Sequence, residues 1–354
     1  MSKKIVEEVE KEIRKKLNND NVKWSSDVDL ELIEDKRTVV IAITDANYKE
    51  NMQKDVVCFE GWALALKTYF LDGDYDIVEL KCDNILVPAK GKLNKDFGKR
   101  FDHSNRFLYR ALRFSEQYKD WFRLEASLKE KVEQFKKYLE EHKGELLNNV
   151  PEPEKKSDKK NSKDELNEAA VERFIVENKE KLPLLLGIEK SVFDKENDRL
   201  IVNRQLPVGL SERGQKIFPG GAAAIDLWAY YTLRKNEFYI FELKFQKKML
   251  GIISEIFFYA NYMYDLLTKK GSFTLNNSGK KNFRGYEMLR KCKQENIIDT
   301  INAVMLADKG NLHPVITKEL LETLNAKDRG VSINYLVAEY EAKINLSGNI
   351  DVSK

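Results

Sequence analysis

Two runs that predict neighbouring β-strands in the second half of the chain carry the residues best suited to chemistry. Residues 224–228 read Ala-Ile-Asp-Leu-Trp, and residues 239–244 read Tyr-Ile-Phe-Glu-Leu-Lys. The short polar stretch between the two runs is typical of a hairpin turn. Two acids, Asp226 and Glu242, and one amine, Lys244, are therefore expected close together on two paired strands.

The geometry of a hairpin determines which of these side chains meet. Glu242 and Lys244 are two positions apart, so their side chains point to the same face of their strand. A turn centred on Lys235 places Asp226 opposite Lys244 and diagonal to Glu242. The sequence does not determine the turn type, so this register is defined only to within about one residue.

Three charged side chains among apolar neighbours predict either a metal site or an ion pair. Two carboxylates held within ~5 Å repel each other unless a cation lies between them. A hard divalent ion such as Mg²⁺ takes oxygen ligands and often binds one or two carboxylates together with a substrate phosphate. The ion would acidify a water molecule, while Lys244 would orient that water or offset developing charge. The alternative is an ordinary ion pair between Asp226 and Lys244 that joins the two strands.

The arrangement of these residues resembles the PD-(D/E)xK nuclease superfamily over roughly residues 164–340. The resemblance implies that Asp226 and Glu242 are metal ligands. The Leu243 carbonyl is often a third ligand in this superfamily, and Lys244 would be the catalytic lysine. The implied cofactor is Mg²⁺, for which Mn²⁺ can substitute.

Within the superfamily, the chain looks most like the NucS-type branch and its relatives. The matching features are a glutamate-rich first helix at residues 168–174, the tripeptide Asn203-Arg204-Gln205, and the Ile-Asp and Glu-Leu-Lys strands. A glutamate of the first helix commonly assists catalysis, and Glu172 is favoured over Glu168, which lies one helical turn away. Ile225 stands where many members have a proline before the aspartate.

The helix after the two strands departs from the family pattern. Many members carry Gln-x-x-x-Tyr there, whereas this chain has Glu255 and Tyr259 with the same spacing. Both residues are expected to lie directly behind the metal ligands. Glu255 could add a ligand or alter the surroundings of the others.

Basic residues crowd the segment that follows this helix. They include Lys269, Lys270, Lys280, Lys281 and Arg284. A flexible basic segment beside a metal site would suit binding of a nucleic-acid backbone, and a solvated loop is the alternative. The first half of the chain has a similar basic run between Lys90 and Arg113, for which the same two interpretations stand.

Length and composition indicate two domains. A chain of 354 residues should contain about two, at ~150 residues each. A proline- and lysine-rich stretch marks the boundary, because it has too few apolar residues to repay the entropy of ordering. The expected division is an N-terminal domain at 1–147, a charged flexible linker at 148–164 and a nuclease-like domain at 165–354.

The expected fold class is α/β. The resemblance implies a restriction-endonuclease-like αβββαβ core in the second half, in which helices flank a mixed sheet. Hydrophobic periodicity in that half gives the fuller order αβββαβαβ. The first half is expected to be a separate α+β domain of uncertain topology.

Overall composition excludes several classes of protein. Hydrophobic residues make up 42% of the chain and charged residues 34%, which is typical of a globular protein, and the net charge of +3 gives no electrostatic argument for nucleic acid. Three widely spaced cysteines exclude a disulfide framework, and the three histidines form no His-x-x-x-His pair. The charged N-terminus has no apolar signal-peptide core, so a soluble cytoplasmic protein without a membrane segment is expected.

These observations predict a metal-dependent endonuclease or phosphodiesterase that hydrolyses nucleic acid, with DNA as the expected substrate, in restriction, repair or phage defence. The N-terminal domain would select the substrate, sense a signal or mediate assembly, as a homo-oligomer or with a partner protein. The alternatives are an inactive nucleic-acid-binding module that keeps the nuclease fold and an assembly scaffold. A second Glu-Leu-Lys at 79–81 is attributed to coincidence or a decayed fold, since a helix separates it from the preceding strand.

Overall fold

The computed structural model shows a mixed α/β protein. The residues that it describes are 2–25, 28–44, 47–71, 73–85, 101–151, 166–187, 200–218, 223–231, 236–277, 283–327, 330–344 and 350–354. Within these ranges, helices flank sheets that contain both parallel and antiparallel strand pairs. The α/β class expected from the sequence is therefore confirmed.

The first half forms a four-stranded sheet with helices packed on it. Its elements are α1 (Ser2–Leu17), β1 (Asp29–Ile33), β2 (Thr38–Ala42), α2 (Phe59–Ala65), β3 (Ile77–Lys81), α3 (Phe101–Gln117), β4 (Phe122–Leu124) and α4 (Ala126–Glu141). Helix α2 continues into a π-helical turn at Leu66–Phe70. The strand order is β1-β2-β3-β4, in which β1 and β2 are antiparallel and the other neighbours are parallel.

The second half forms a six-stranded sheet and a small three-stranded one. Its elements are β5 (Leu146–Asn148), α5 (Glu168–Glu177), α6 (Lys181–Leu185), β6 (Leu200–Pro207), β7 (Leu210–Glu212), β8 (Gln215–Phe218), β9 (Ala224–Tyr231), β10 (Glu237–Lys244), α7 (Gly251–Leu267), α8 (Tyr286–Glu295), β11 (Thr300–Asp308), α9 (Lys318–Asn325), β12 (Ile333–Ile344) and β13 (Ile350–Ser353). The large sheet has the order β13-β12-β11-β10-β9-β6, and the small sheet has the order β5-β7-β8.

Different helices cover the two faces of the six-stranded sheet. Phe241 and Leu243 of β10 are buried in a cluster with residues of α5 and α6. Phe238 and Ile240 lie on the opposite face, in the main core with α7. Because side chains alternate along a strand, the even-numbered residues of β10 point towards α7. Glu242 is one of these residues.

One hydrophobic core joins the two halves of the chain. It extends from α1 to Tyr335 of β12. Within it, Arg110 Nε of α3 donates a hydrogen bond of 2.6 Å to Glu60 of α2. The Ser254 hydroxyl of α7 donates another, also of 2.6 Å, to the same carboxylate. A buried charge pair needs all of its hydrogen bonds, so this group holds α2, α3 and α7 together.

The chain is ordered where the sequence places the start of a flexible linker. Asn148, the first residue of the expected linker, is buried in β5, which pairs with β7. Its Oδ1 accepts hydrogen bonds from the Asn276 amide at 2.7 Å and from the Tyr286 hydroxyl at 2.8 Å. Linker residues 152–164 lie outside the described residues, and the division into two domains stays a prediction.

Most of the strands and helices expected from the sequence are present. The strand pair near residues 27–44 is confirmed as β1 and β2, and the long helix near residues 249–267 is confirmed as α7. The short helix α6, the hairpin of β7 and β8 and the helix α8 interrupt the expected order αβββαβαβ, and β13 follows it. Of the helices described, none has both the length and the apolar character needed to cross a bilayer.

Replacing Gly251 by alanine tests the close contact between the two halves. A Cβ at Gly251, the first residue of α7, would lie 2.1 Å from the backbone oxygen of Gln53. The backbone must shift to relieve this clash, so we expect the free energy of unfolding to fall by about 1–3 kcal/mol in chemical denaturation. Lys247→Ala, at an exposed position nearby, is the control and should change stability by less than ~0.5 kcal/mol. Equal stability of the two variants would contradict the packing described here.

Candidate functional site

The hairpin of β9 and β10 sets the relative positions of the three predicted charged residues. Leu227 pairs with Phe241, and the pairing continued by one residue places Asp226 level with Glu242. Asp226 is therefore diagonal to Lys244, and its predicted position opposite Lys244 was wrong, because the two strands pair in a different register from the predicted one. The difference in register is two residues, an even number, so all three side chains remain on the same face.

The ammonium group of Lys244 binds two acids. Its Nζ lies 2.5 Å from Glu242 Oε1 and 2.9 Å from Glu255 Oε2. All three side chains are buried. Lys244 thus forms ion pairs with Glu242 and Glu255, and not the pair with Asp226 that the sequence left as an alternative. Burial lowers the pKa of Lys244, but attraction by Glu242, Glu255 and Asp226 outweighs this and raises it.

Asp226 is held by the backbone of the neighbouring strand. Its Oδ2 accepts a hydrogen bond of 2.8 Å from the Leu243 amide, and its Oδ1 lies 3.5 Å from Gln205 Nε2. Burial raises the pKa of Asp226 well above its usual value, and repulsion by Glu172 raises it further. The positive charge of Lys244 and the Leu243 amide oppose the shift only in part. The ionised form of Asp226 is therefore unfavourable in this environment.

Gln205 of β6 connects Asp226 to helix α5. Its Nε2 donates a hydrogen bond of 3.0 Å to Glu172 Oε2 as well as the longer one to Asp226. The backbone of Gln205 has φ of +56°, in the left-handed region that non-glycine residues rarely adopt. It interrupts the pairing of β6 with β9 directly opposite Asp226. This unusual conformation accompanies an amide placed between two carboxylates, which is typical of a functional site.

Glu172 is the third acid of the site, and α5 positions it. The side chain of Asn167 caps the start of this helix. Glu172 Oε2 lies 3.6 Å from Arg204 NH1. Burial raises the pKa of Glu172 to about 7, although the hydrogen bond from Gln205 opposes the shift. A carboxyl group that titrates near neutral pH can accept a proton under ordinary conditions.

Glu168 lies one turn before Glu172 on the same helix. Its Oε2 is buried and has no hydrogen-bond partner among the described residues. It also contributes to the raised pKa of Glu172. The resemblance allowed either glutamate, and Glu172 was the one favoured from the sequence. The structure favours Glu172 as the acid that shares Gln205 with Asp226.

Glu242 is buried in surroundings that disfavour its ionised form. Burial raises the pKa of Glu242 well above its usual value, and repulsion by Asp226 and Glu255 adds to this, while Lys244 opposes it. Its Oε1 binds Lys244. Its Oε2 is buried, and in the described part of the chain it has no hydrogen-bond partner. An anionic oxygen in that condition needs a cation or a proton.

Helix α7 places the two residues of the Glu-x-x-x-Tyr spacing beside these acids. Glu255 Oε1 accepts a hydrogen bond of 2.6 Å from Gln53 Nε2. Tyr259 is buried one turn later, and its pKa is raised well above its usual value by burial and by the nearby carboxylates. Gln53 comes from the first half of the chain, 202 positions away. No local sequence pattern could have identified it.

The predicted basic segment reaches the site through Arg284. Arg284 NH1 donates a hydrogen bond of 2.9 Å to the backbone oxygen of Gln205. Lys269 and Lys270 are exposed beyond the end of α7. At ~1.5 Å of helical rise per residue, they lie roughly 20 Å from Glu255. The last two members of the predicted set, Lys280 and Lys281, lie outside the described residues.

Three arginines of the basic run in the first half fit neither of the two interpretations of that run, a solvated loop or a phosphate-binding patch. Arg110 and Arg113 form ion pairs with buried acids. Arg106 is buried and packs over the ring of Phe258, with its guanidinium carbon 5.4 Å from the ring centre. These side chains stabilise the contact between α3 and α7 and form no solvated or phosphate-binding surface. Residues 90–100 of the run lie outside the described residues.

The chemistry of the donor atoms fits a hard cation. The acids outnumber the single lysine, all of their donor atoms are oxygens, and Glu242 Oε2 has no hydrogen-bond partner in the structure as described. Asp226 and Glu242 supply two carboxylates. No group of three His, Cys, Asp or Glu side chains in the described ranges is arranged to hold a metal ion. The Leu243 carbonyl stays a prediction as a third ligand, whereas the Leu243 amide is bound to Asp226.

Comparison with known proteins adds no further constraint on the site. No family model matches this chain, and neither a curated protein nor a solved structure does. The geometry and chemistry of the residues themselves must therefore support any function.

Neutralising Asp226 should stabilise the protein in metal-free buffer. Burial raises the pKa of Asp226 above its unfolded value, so as pH rises from about 4 the unfolded state releases this proton while the folded state retains it, and stability falls until pH passes the folded pKa. Asp226→Asn keeps an acceptor for the Leu243 amide and should raise the free energy of unfolding by about 0.5–2 kcal/mol at pH 8. The gain should shrink towards pH 4, as followed by chemical denaturation.

The exposed substitution Asp74→Asn is the control for this effect and should leave stability unchanged at both pH values. A loss of stability in Asp226→Asn at pH 8 would contradict the electrostatic account of the site.

Proposed function

We propose that this chain hydrolyses phosphodiester bonds of nucleic acid with a divalent metal ion, and that DNA is its substrate. The observation that carries the proposal is the group of buried acids around Lys244, in which Glu242 and Glu255 bind the ammonium group and Asp226 lies close by, with the pKa values of Asp226 and Glu242 raised by burial. Carboxylates with raised pKa values in one place destabilise a fold that has no use for them. A hard cation next to a substrate phosphate would use them.

The order of elements around the acids supports a restriction-endonuclease-like core. Helix α5 precedes β6, β9 and β10, which form an antiparallel unit, and α7 leads from β10 to β11, which is parallel to it. This is the order αβββαβ with the short helix α6 added after α5, the hairpin β7–β8 inserted and α8 added before β11. Fold alone does not determine function, so the acids remain the stronger support.

Each charged residue has a distinct role in this proposal. Asp226 and Glu242 would hold the metal ion. The bound ion would supply a water of lowered pKa and stabilise negative charge on the phosphate. Lys244, whose raised pKa keeps it charged, would orient the attacking water or offset developing charge. Glu172, with a pKa of about 7, would accept a proton in its carboxylate form.

Arg284 would offer the substrate backbone a contact beside the acids. It is tied to Gln205, which itself bridges Asp226 and Glu172. A guanidinium in that position would attract a phosphate and help to set the register of the nucleic acid. The biological setting that we propose is restriction, repair or phage defence.

Charge-neutral variants should abolish cleavage. We expect Asp226→Asn, Glu242→Gln and Lys244→Met each to lower the rate of cutting of plasmid or linear duplex, with Mg²⁺ or Mn²⁺, by about 100-fold or more, since each removes charge at the reacting centre. The second Glu-Leu-Lys sequence of the chain, at residues 79–81 in β3, provides a matched control. Glu79→Gln should cut at the wild-type rate. Equal activity of Glu242→Gln and wild type would contradict the proposed centre.

The pH dependence of cleavage should depend on Glu172. Because burial raises the pKa of Glu172 to about 7, most of its carboxyl groups are protonated at pH 6 and cannot accept a proton. We expect kcat/KM to rise with pH through about 7 in the wild type. Glu172→Gln should be slower, and the rise near pH 7 should be absent from its profile. Identical profile shapes for the two proteins would rule out Glu172 as the proton acceptor.

One observation favours a second candidate, an inactive nucleic-acid-binding or assembly module that keeps the nuclease fold. Lys244 is already paired with Glu242 and Glu255, and Glu242 is only 2% exposed. A module of this kind would bind DNA with an affinity that falls steeply as salt rises, and it would cut nothing with either metal ion. Cutting that depends on Glu242 excludes it.

A further inference from the structure

The same order of strands and helices occurs twice along the chain. In the first half, antiparallel β1 and β2 are followed by α2, β3, α3 and β4, and the later strands pair in parallel. In the second half, antiparallel β9 and β10 are followed by α7, β11, α9 and β12, again with parallel pairing, apart from the added helix α8. The sheet order β1-β2-β3-β4 matches β9-β10-β11-β12 strand for strand. Helix α2 therefore corresponds to α7, and α3 corresponds to α9.

The contacts between the two halves are reciprocal. Helix α2 packs against its counterpart α7, where a Cβ on Gly61 would lie 2.7 Å from Leu250 Cγ. Helix α3 packs against α7, and its counterpart α9 packs against α2 and the π-helical turn. Exchanging the corresponding helices reproduces the same set of contacts. This is the property of a two-fold interface between identical subunits.

Hydrogen bonds between the two halves show the same reciprocal pattern. On one side, Gln117 of α3 donates a bond of 2.6 Å to Asn261 of α7. On the other side, Thr68 of the π-helical turn donates a bond of 3.0 Å to Thr323 of α9. Both bonds join the second helix of one half to the first helix of the other.

The described residues of the first half that match the positions of Asp226 and Glu242 are not acids. Asp226 and Glu242 lie on the face of β9 and β10 that meets the shared core. On the described part of β1, β2 and their flanking residues, the corresponding face is entirely apolar and consists of Val28, Leu30, Leu32, Val39, Ile41 and Ile43. Matching Asp226 and Glu242 with Val28 and Ile43, or with Leu30 and Ile41, gives apolar residues in both cases. Residues 26 and 45, the next positions on this face, lie outside the described residues.

The Glu-Leu-Lys sequence of the first half does not replace these acids. It lies on β3, whereas the one in the second half lies on β10, the counterpart of β2. Leu80 is buried in the shared core, so Glu79 and Lys81 point to the opposite face. Glu79 there forms an ion pair of 2.6 Å with Arg123 of β4.

We propose that the first half is a second nuclease-like core without a reactive centre, so that one chain joins two cores in the manner of a dimer but cuts with a single centre. This inference rests on the proposed function and specifies its product. One centre cuts one strand of a duplex in each binding event. The first product from duplex DNA is therefore a nick.

The first half also contributes contacts that support the charged centre of the second half. Gln53 of the first half donates to Glu255, and Glu255 in turn lies 2.9 Å from the ammonium group of Lys244. Gly251 brings the start of α7 against the backbone of Gln53. The first half thus acts on the charged centre as a neighbouring subunit would.

Supercoiled plasmid tests this inference with the full chain. With Mg²⁺ or Mn²⁺, open circles should accumulate to most of the DNA before linear molecules appear, at a rate proportional to protein concentration. Analytical ultracentrifugation should give the mass of a single chain, 41.2 kDa.

A mixing experiment provides the control. Equal amounts of wild type and Glu242→Gln should give the wild-type product pattern, because no centre is shared between chains. If a dimer with two centres were the functional unit, wild type would produce linear DNA and the mixture would shift towards nicks.

The outcomes separate this inference from the function on which it rests. Nicking by a single chain supports both. Linear DNA as the first product, a stable dimer or cleavage of RNA alone would overturn the single-centre inference and leave phosphodiester hydrolysis standing. No cleavage of plasmid, linear duplex, single-stranded DNA or RNA would overturn the proposed function and the nicking with it.

Discussion

The balance of buried charge at the β9–β10 hairpin is the constraint on which the rest of the site depends. A single ammonium group, on Lys244, lies among Glu242, Glu255 and Asp226, and Glu172 lies beside Asp226. Water is largely excluded, so each further negative charge is costly. The raised pKa values of Asp226, Glu242 and Glu172 express the same imbalance.

The fold concentrates these charges by bringing distant parts of the chain together. The hairpin supplies Asp226 and Glu242, and α5 supplies Glu172. The unusual backbone of Gln205 interrupts a strand so that its amide joins two carboxylates. Gln53 reaches Glu255 from the other half of the molecule. These contacts hold the acids in place despite their mutual repulsion, which is how proteins maintain strained sites.

The sequence predicted the part of this arrangement that depends on local pattern. The hairpin, the long helix after it and the shared face of Glu242 and Lys244 follow from hydrophobic periodicity and the two-residue repeat of a strand. The register could not be predicted, because it depends on the turn. Asp226, Glu242 and Lys244 still share one face of the hairpin, because the observed register differs from the predicted one by an even number of residues.

Other features could not be predicted from the sequence. Some depend on contacts between residues far apart in the chain, and in one helix the charged residues hide the hydrophobic pattern. The left-handed conformation of Gln205 and the reach of Gln53 have no local signal. Helix α1 is amphipathic, with Val9 and Ile13 buried, but its high density of charge conceals the pattern. The repeated core is visible only in strand order, since the two halves differ in length and in the residues on the matching faces.

The central claim is that the acids around Lys244 hold a hard cation, and calorimetric titration of the metal-free protein with Mn²⁺ tests it most directly. The account predicts saturable binding of Mn²⁺ to the wild type, and loss of that binding when Asp226 and Glu242 are both replaced by their amides. Binding of equal strength to both proteins, or to neither, would contradict it.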